Sequence, residues 1–323
     1  MRVLHAVKRS LVWRHHLFSR HQRQRTKYQD DAISTSPTTT PPALQDSSTV
    51  TDSFQVTLPL PGEAGRYEQE PWRPPESAPR NSHTPTVHFR RAFTVCKDLD
   101  YADGNEDFFV WADDRGGAAI FDGATESFAA RRWVRMLAAA WKTNPQLDFE
   151  HLQSRYEDEI DTLNLGWAQA QARQRGSFTT LASVTPTEGG LAATLIGDSC
   201  IALCKDNAVL QMLPSSDPSF FRSTPEALAS TPNLLTVNKE LMDACSWIIP
   251  LEPGEIDCVV LMTDAIGHWV TSEPASSEES RIESVLACRG EDQWSALVQH
   301  ERASGRMKAD DSTVVVLGVG SES

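Results

Sequence analysis

The segment Ala118-Ala119-Ile120-Phe121-Asp122-Gly123 is a short apolar run that ends abruptly in an aspartate and a glycine. A second apolar run, Phe108-Phe109-Val110-Trp111, precedes it and itself follows Asp107. A polar, glycine-containing loop at 113–117 separates the two runs, and this pattern is typical of a β-hairpin. The hairpin therefore carries one carboxylate at the start of its first strand and another at the end of its second.

Aspartates take the same kind of position along the rest of the chain. Each of the following stands beside an apolar run: Asp198 after Leu195-Ile196-Gly197, Asp264 after 259–263, and Asp310 with Asp311 before 313–317. A single aspartate beside a strand is commonplace, because Asp often starts turns. Five such placements within about 200 residues instead indicate a site, since strand ends hold functional side chains rigidly.

Carboxylates that gather without histidine or cysteine favour oxygen-preferring cations such as Mg²⁺ or Mn²⁺. Without a cation, the same carboxylates would repel one another and raise one another's pKa. Two such ions about 3.5–4 Å apart can activate water for attack on a phosphate. The residues alone therefore predict a binuclear hydrolytic site built from carboxylates.

Composition excludes several classes of protein. The 323 residues are 40% hydrophobic and 23% charged, and no run approaches the ~18 apolar residues of a membrane helix, so no integral membrane contact is expected. Net charge is −14, yet residues 1–27 carry eight basic residues and no acid, which leaves −22 for the remainder. Such an acidic body disfavours nucleic acid. Six cysteines without metal-ligand spacing predict buried, unbridged thiols in a reducing compartment.

Three sections follow from these patterns. They are a basic N-terminal arm at 1–28, a Pro/Ser/Thr-rich linker at 29–86 that is predicted to be disordered, and a domain at 87–320. We expect the arm to contact an acidic surface; an organellar transit peptide and an overextended start site are the alternatives. The expected location is cytoplasmic, or organellar if the arm is a transit peptide.

Periodicity within the domain favours an α+β fold with antiparallel sheets. Strands are predicted at 87–96, 108–111, 118–121, 178–184, 191–196, 201–205, 209–213, 257–262 and 313–319, the four between 178 and 213 as a meander. Helices are predicted at 126–142 with Thr125 as N-cap, at 148–173 with a buried Trp167, and at 281–287 and 292–301. The strand at 257–262 is continuously apolar, so we expect it to be central.

The order of the motifs resembles the metal-dependent serine/threonine protein phosphatases of type 2C. The matching segments are Asn105-Glu106-Asp107, Phe121-Asp122-Gly123, Gly176-Ser177-Phe178-Thr179-Thr180, Ile196-Gly197-Asp198-Ser199, Leu261-Met262-Thr263-Asp264 and Asp310-Asp311-Ser312-Thr313. None is specific alone, but six in the family's order across residues 87–320 make a strong resemblance. It implies a four-layer αββα sandwich, in which two antiparallel sheets are flanked by helix pairs.

The resemblance also implies an activity, the hydrolysis of phosphoserine and phosphothreonine in protein substrates by metal-activated water. Two Mn²⁺ or Mg²⁺ ions would be required. Asp122 matches the carboxylate that bridges both ions, and the Gly123 carbonyl would complete the shell of the first. Asp264 and Asp310 match the ligands of the second ion.

Three further acids match family positions. Glu106 and Asp107 correspond to an acidic pair that binds a metal or its waters. Asp198 corresponds to a position that helps to hold a third ion in bacterial members. The resemblance assigns Asp122 and Asp107 to catalysis, and it implies phosphorylated protein substrates as partners and a role in signalling.

The sequence departs from the family's pattern around the site. The Gly-rich stretch after the bridging acid is replaced by 124–127, in which Glu126 is either a first-turn helix residue or an outer acid of the site. Ala265 and Cys200 stand where a glycine and an arginine are usual. His268 is interpreted as a packed helix histidine, with an acid role as the alternative.

The most important departure is Ala102, which stands where a phosphate-binding arginine is expected. The candidates to replace that arginine are Lys97, Arg115 and Arg131. Its loss keeps a second function open, that of a catalytically weak or inactive phosphatase-like domain that binds and regulates a partner. A hydrolase of small phosphate esters is a third alternative.

Overall fold

The computed structural model describes residues 83–98, 104–125, 127–222, 225–274 and 280–320. The predicted arm and the linker up to residue 82 lie outside the described residues. The strands are β1 Val87–Val95, β2 Asp107–Ala112, β3 Gly117–Gly123, β4 Phe178–Thr187, β5 Gly190–Ile196, β6 Cys200–Lys205, β7 Ala208–Leu213, β8 Leu228–Ala229, β9 Ser246–Pro250, β10 Cys258–Met262 and β11 Ser312–Val319.

Seven α-helices and two short 3₁₀ helices accompany these strands in the described residues. The α-helices are α1 Ala130–Thr143, α2 Phe149–Asp161, α3 Trp167–Arg173, α4 Leu235–Ala244, α5 Asp264–Thr271, α6 Arg281–Ala287 and α7 Glu291–Ala303. The 3₁₀ helices are Pro218–Arg222 and Pro232–Leu234. Among the described helices, none is long and apolar enough to cross a lipid bilayer.

The strands form two antiparallel sheets. Sheet A has the order β1-β11-β10-β6-β7, and sheet B has the order β2-β3-β4-β5-β9 with β8 paired to β4. Strand β10 lies between β11 and β6 at the centre of sheet A, as its continuous apolar sequence predicts. The α+β fold with antiparallel sheets is confirmed.

Three apolar layers hold the sheets and helices together. Successive side chains of a strand point to opposite faces, and β10 shows the consequence. Val259 and Leu261 pack in the layer between the two sheets, whereas Val260 and Met262 pack against α5, α6 and α7 on the outer face of sheet A. A third layer joins α1 and α2 to sheet B. This is the predicted four-layer αββα arrangement.

Helix α1 begins four residues later than its periodicity predicts. Ala129 has a φ of 48°, in the left-handed region that interrupts a right-handed helix. The backbone before it is tied elsewhere, because Ala124 N donates to Phe178 O at 2.9 Å. Thr125 is not the N-cap; its Oγ1 accepts a hydrogen bond from Lys97 Nζ at 2.6 Å.

The single helix predicted for 148–173 is two helices. Asp148 does cap the first, since its side chain accepts from His151 N. The helix ends at Asp161, and Gly166 then starts α3 from an extended conformation. Trp167, predicted to be buried, is 77% exposed. The apolar spacing spans the break, which is why periodicity alone joined the two helices.

The strands between 178 and 213 are two hairpins in different sheets, so the meander prediction was wrong. The chain crosses from β5 in sheet B to β6 in sheet A through Gly197, which has a φ of +87°. A Cβ there would lie 2.5 Å from Thr180 Cγ2 and 2.7 Å from the Glu226 carbonyl oxygen. Only glycine fits this turn, and the turn delivers Asp198 to the end of the sandwich.

The cysteines and the helix pair over sheet A agree with the sequence. The six thiols are unbridged, and all are buried except the partly exposed Cys245. Helices α6 and α7 lie where periodicity predicts them.

A buried carboxylate, Glu301 of α7, links α7 to α5 and to the following turn. Its oxygens accept hydrogen bonds from Trp269 Nε1 at 2.9 Å and from Arg306 Nε at 2.7 Å.

Replacing Glu301 with leucine should lower the free energy of unfolding by about 1–3 kcal/mol, because the buried indole N–H of Trp269 loses its acceptor. The hydrogen bonds from Arg306 lower the pKa of Glu301 most, and the hydrogen bond from Trp269 lowers it further. Its contribution is therefore present above the ordinary carboxyl pKa and is lost as pH falls through the depressed value.

Urea unfolding at neutral and at acidic pH measures this effect. Glu157→Leu on the exposed face of α2 is the matched control, and we expect it to change stability by less than about 0.5 kcal/mol. Equal stability of Glu301→Leu and Glu157→Leu at neutral pH would show that the α5–α7 link contributes nothing.

Candidate metal centre

The antiparallel sheets bring the predicted acids to one end of the sandwich. In an antiparallel pair, the start of one strand lies beside the end of the next. Asp107 begins β2 and Asp122 lies near the end of β3, and these two residues are directly paired in the sheet. Asp198 follows the end of β5, at the same end of sheet B.

Sheet A supplies the remaining acids in the same way. Asp264 follows β10 and opens α5, while Asp310 and Asp311 precede β11, the neighbour of β10. Thr263 joins the two sheets at this point, since its Oγ1 donates to Asp107 Oδ2 at 3.2 Å. The same Oγ1 accepts from Thr313 N at 3.0 Å. The acids that these motifs contain therefore lie at one end of the sandwich.

Electrostatics identify this place as a cluster of mutually repelling carboxylates. Burial, and then the negative charge of neighbouring aspartates, raises the pKa of Asp107 and of Asp122 well above the ordinary value. Burial and the charge of Asp264 raise the pKa of Asp198 to about 7. An ordinary aspartate has a pKa near 3.9. The negative charge of these carboxylates is therefore not fully compensated by positive charge within the site.

The donor set fits a divalent cation on the side of Asp107 and Asp122. The Oδ1 atom of Asp107 is buried and has no hydrogen-bond partner within the described part of the chain. An unpartnered carboxylate oxygen of this kind is suited to a hard cation. Gly123, whose carbonyl the resemblance implies as a further ligand, lies in a tight space, since a Cβ there would lie 3.0 Å from the Glu106 carbonyl oxygen.

The carboxylates are not, however, arranged as a ready set of ligands around one metal position. Across 83–98, 104–125, 127–222, 225–274 and 280–320, no group of three or more His, Cys, Asp or Glu side chains is arranged to hold a metal ion. On one side a lysine lies between two of them: Lys308 Nζ lies 2.6 Å from Asp264 Oδ2 and 3.2 Å from Asp310 Oδ2. Burial alone would lower the pKa of Lys308, but attraction to Asp264 and Asp310 raises it overall.

A second lysine lies at the edge of the cluster. Lys97, directly after β1, donates from Nζ to Glu106 Oε2 at 2.8 Å and is 4.0 Å from Asp311 Oδ2. Arg115 instead caps the end of α1, donating to the carbonyls of Trp141 and Lys142. Of the three candidates to replace the expected arginine, Lys97 is the one that these contacts place beside the predicted acids; Arg131 lies on α1.

The structure gives roles to three residues that the sequence did not assign as ligands: Asp311, Thr263 and Lys308. Asp311 accepts from Lys97 N and from Glu106 N, both at 2.7 Å, and so fixes the loop ends that carry these side chains. Thr263 orients Asp107, and Lys308 neutralises Asp264 and Asp310. A lysine two residues before a strand-start aspartate was the available signal for Lys308.

The remaining positions are placed as follows. Ala102 and Glu126 lie outside the described residues. His268 is on α5, where its ring lies 6.1 Å from that of Phe221 and burial lowers its pKa. Cys200 is buried at the start of β6. None of these placements changes the assignment of the acids.

Comparison with known proteins shows that this chain is similar in fold to several solved phosphatase structures. No protein-family model matches this sequence, and no curated protein matches it significantly. A bacterial serine phosphatase structure is 12% identical, with a TM-score of 0.48 over 73% of this chain and 100% of that chain. The serine/threonine phosphatase PstP/Ppp of Mycobacterium tuberculosis is 17% identical, with a TM-score of 0.46 over 74% and 100%.

The photosystem II phosphatase PBCP is 15% identical, with a TM-score of 0.42 over 72% of this chain and 98% of that chain. These TM-scores lie below 0.5, and the identities are low. They show similarity of fold and no more.

The acid cluster should make the metal-free protein less stable as pH rises. A raised carboxyl pKa means that the folded state binds the proton more tightly than the unfolded chain does, so stability is greatest below the unfolded pKa and falls towards the folded one. For Asp198 that window runs from 3.8 to about 7. We expect Asp198→Asn to reduce the loss of stability across this window.

Urea unfolding in EDTA at several pH values measures this slope. Asp161→Asn, an exposed aspartate paired with Arg173, is the control and should keep the wild-type slope. A metal-free protein that gains stability between about pH 4 and 7 would contradict the described electrostatics of the site.

Proposed function

We propose that residues 87–320 form a metal-dependent protein serine/threonine phosphatase. The observation that carries this proposal is the meeting of carboxylates from both sheets at one end of the sandwich, with Asp107 and Asp122 paired across β2 and β3. The six motifs in family order support it independently. Phosphoserine and phosphothreonine in proteins would be the substrates.

The ligand assignment follows the resemblance together with these positions. Asp122 and the Gly123 carbonyl would hold the first ion, Asp122 with Asp264 and Asp310 the second, Glu106 and Asp107 an ion or its waters, and Asp198 a third ion. Mn²⁺ and Mg²⁺ suit such an oxygen-only set. When bound, the ions would lower the pKa of water so that it can attack phosphorus at neutral pH.

The chain's own residues prepare the site for that reaction. Thr263 donates to Asp107 Oδ2 and so fixes this carboxylate, whose Oδ1 atom has no hydrogen-bond partner in the described residues. Thr179 Oγ1 donates to the Asp122 carbonyl oxygen at 2.8 Å and fixes the end of β3. Asp311 holds the backbone of Glu106 in place. Asp122 and Asp107 remain the residues proposed for catalysis.

Lys97 is our candidate for binding the substrate phosphate in place of the missing arginine. Its ammonium is partly exposed and already contacts Glu106 and Thr125 at the edge of the cluster. A phosphate dianion would be a better partner for this charge than a hydroxyl.

Replacing Lys97 with methionine should raise KM for p-nitrophenyl phosphate by about tenfold with a smaller change in kcat, because a charged hydrogen bond to the substrate is lost. Lys97→Arg should restore most of the lost affinity. A KM unchanged in Lys97→Met would show that Lys97 does not bind the phosphate.

Hydrolysis of p-nitrophenyl phosphate and of a phosphothreonine peptide, with Mn²⁺ and with EDTA, tests the function itself. We expect Mn²⁺-dependent activity that falls about a hundredfold or more in Asp122→Asn, since the carboxylate that would hold the ions loses its charge. Asp161→Asn should keep wild-type activity. Absence of activity at every Mn²⁺ or Mg²⁺ concentration, or full activity in Asp122→Asn, would refute the proposal.

One observation favours the second candidate, a phosphatase-like binding module. Lys308 already neutralises two of the acids proposed for the second ion, as a domain that works without that ion would need. Binding of a phosphopeptide without hydrolysis in saturating Mn²⁺ would support this candidate. The cytoplasmic or organellar location and the acidic partner of the basic arm remain predictions.

A further inference from the structure

The ammonium group of Lys308 lies between the two acids that are assigned to the second ion alone. Its Nζ is 2.6 Å from Asp264 Oδ2 and 3.2 Å from Asp310 Oδ2. The side chain of Asp264 is 9% exposed, whereas that of Lys308 is 52% exposed. The lysine therefore reaches the acids from the solvent side.

The turn that carries Lys308 is fixed on both sides. Before it, the backbone N–H groups of Arg306 and Met307 donate to the Glu301 carbonyl at 3.0 and 3.2 Å, and the Met307 side chain is buried. After it, Asp310 N donates to the Lys308 carbonyl at 3.0 Å. With the backbone fixed, rotation of the flexible four-carbon side chain is enough to move the ammonium into or out of the cluster.

A divalent ion and this ammonium require the same oxygen atoms. Mg²⁺ binds carboxylate oxygens at about 2.0–2.1 Å, and Lys308 Nζ already lies at hydrogen-bond distance from one oxygen of each acid. Two cations bound to the same carboxylate oxygens lie close enough to repel one another. The ion and the ammonium therefore exclude one another.

We propose that Lys308 is an internal competitor for the second divalent ion, holding the place between Asp264 and Asp310 until an ion displaces it. This inference rests on the proposed function, because that function assigns these two acids to an ion. It predicts that the protein binds the first and the second ion with different affinities, and that Lys308 makes the affinity for the second ion the weaker one.

A purely structural ion pair would behave differently. Removing the lysine would then leave Asp264 buried and uncompensated, which costs stability, but the ion affinity would change little. Competition predicts both effects together: Lys308→Met is less stable than wild type in EDTA, and Mn²⁺ restores it to the wild-type melting temperature or above.

Calorimetric titration of MnCl₂ into the EDTA-stripped, dialysed full-length protein tests the proposal without relying on activity. We expect two classes of site in wild type and an increase of about tenfold or more in the weaker affinity in Lys308→Met. Lys308→Arg keeps the charge and should not raise that affinity. Lys205→Met is the matched control, since Lys205 pairs with Asp257 at the opposite end of β6.

The possible outcomes distinguish failure of this inference from failure of the proposed phosphatase function. Mn²⁺ binding with the same affinities in wild type and Lys308→Met overturns the competitor role and leaves the phosphatase proposal standing. Failure of all variants to bind Mn²⁺ overturns both. Should Lys308→Met not fold in EDTA, Lys308→Gln, whose amide still donates to Asp264, provides the same comparison.

Discussion

Mutual repulsion among carboxylates is the constraint on which this structure depends. The antiparallel sandwich places acids from both sheets at one end, where burial and neighbouring charge raise the pKa of Asp107, Asp122 and Asp198. Folding alone gains nothing from such an arrangement, because buried like charges are costly. The protein's own ammonium groups offset part of this cost, and divalent ions, if bound as proposed, would offset more.

The two lysines show how the chain manages this charge. Lys97 balances Glu106 at the edge of the site, and Lys308 balances Asp264 and Asp310. Each ammonium supplies one positive charge, whereas each divalent ion supplies two. The ammonium groups therefore offset only part of the repulsion, and a more strongly charged ligand would offset more of it after displacing them.

Much of the fold and of the acid cluster follows from the sequence, because both depend on local patterns. Apolar runs that end in Asp122 or Asp264 specify strand ends, and antiparallel pairing then brings these ends together. Other features depend on tertiary contacts. Asp311 gains its role only from the folding of β11 against β1, which joins residues about 200 positions apart. Lys308 reaches Asp264 only because β11 pairs with β10. The left-handed Ala129 likewise leaves no periodic signal.

Anomalous diffraction at the manganese edge, from crystals grown with Mn²⁺, tests the central claim most directly. The account predicts a peak beside Asp107 and Asp122, and a second peak next to Asp264 only where the Lys308 side chain has turned towards solvent. A map without manganese at this end of the sandwich, with the carboxylates separated or paired to other side chains, would contradict the account.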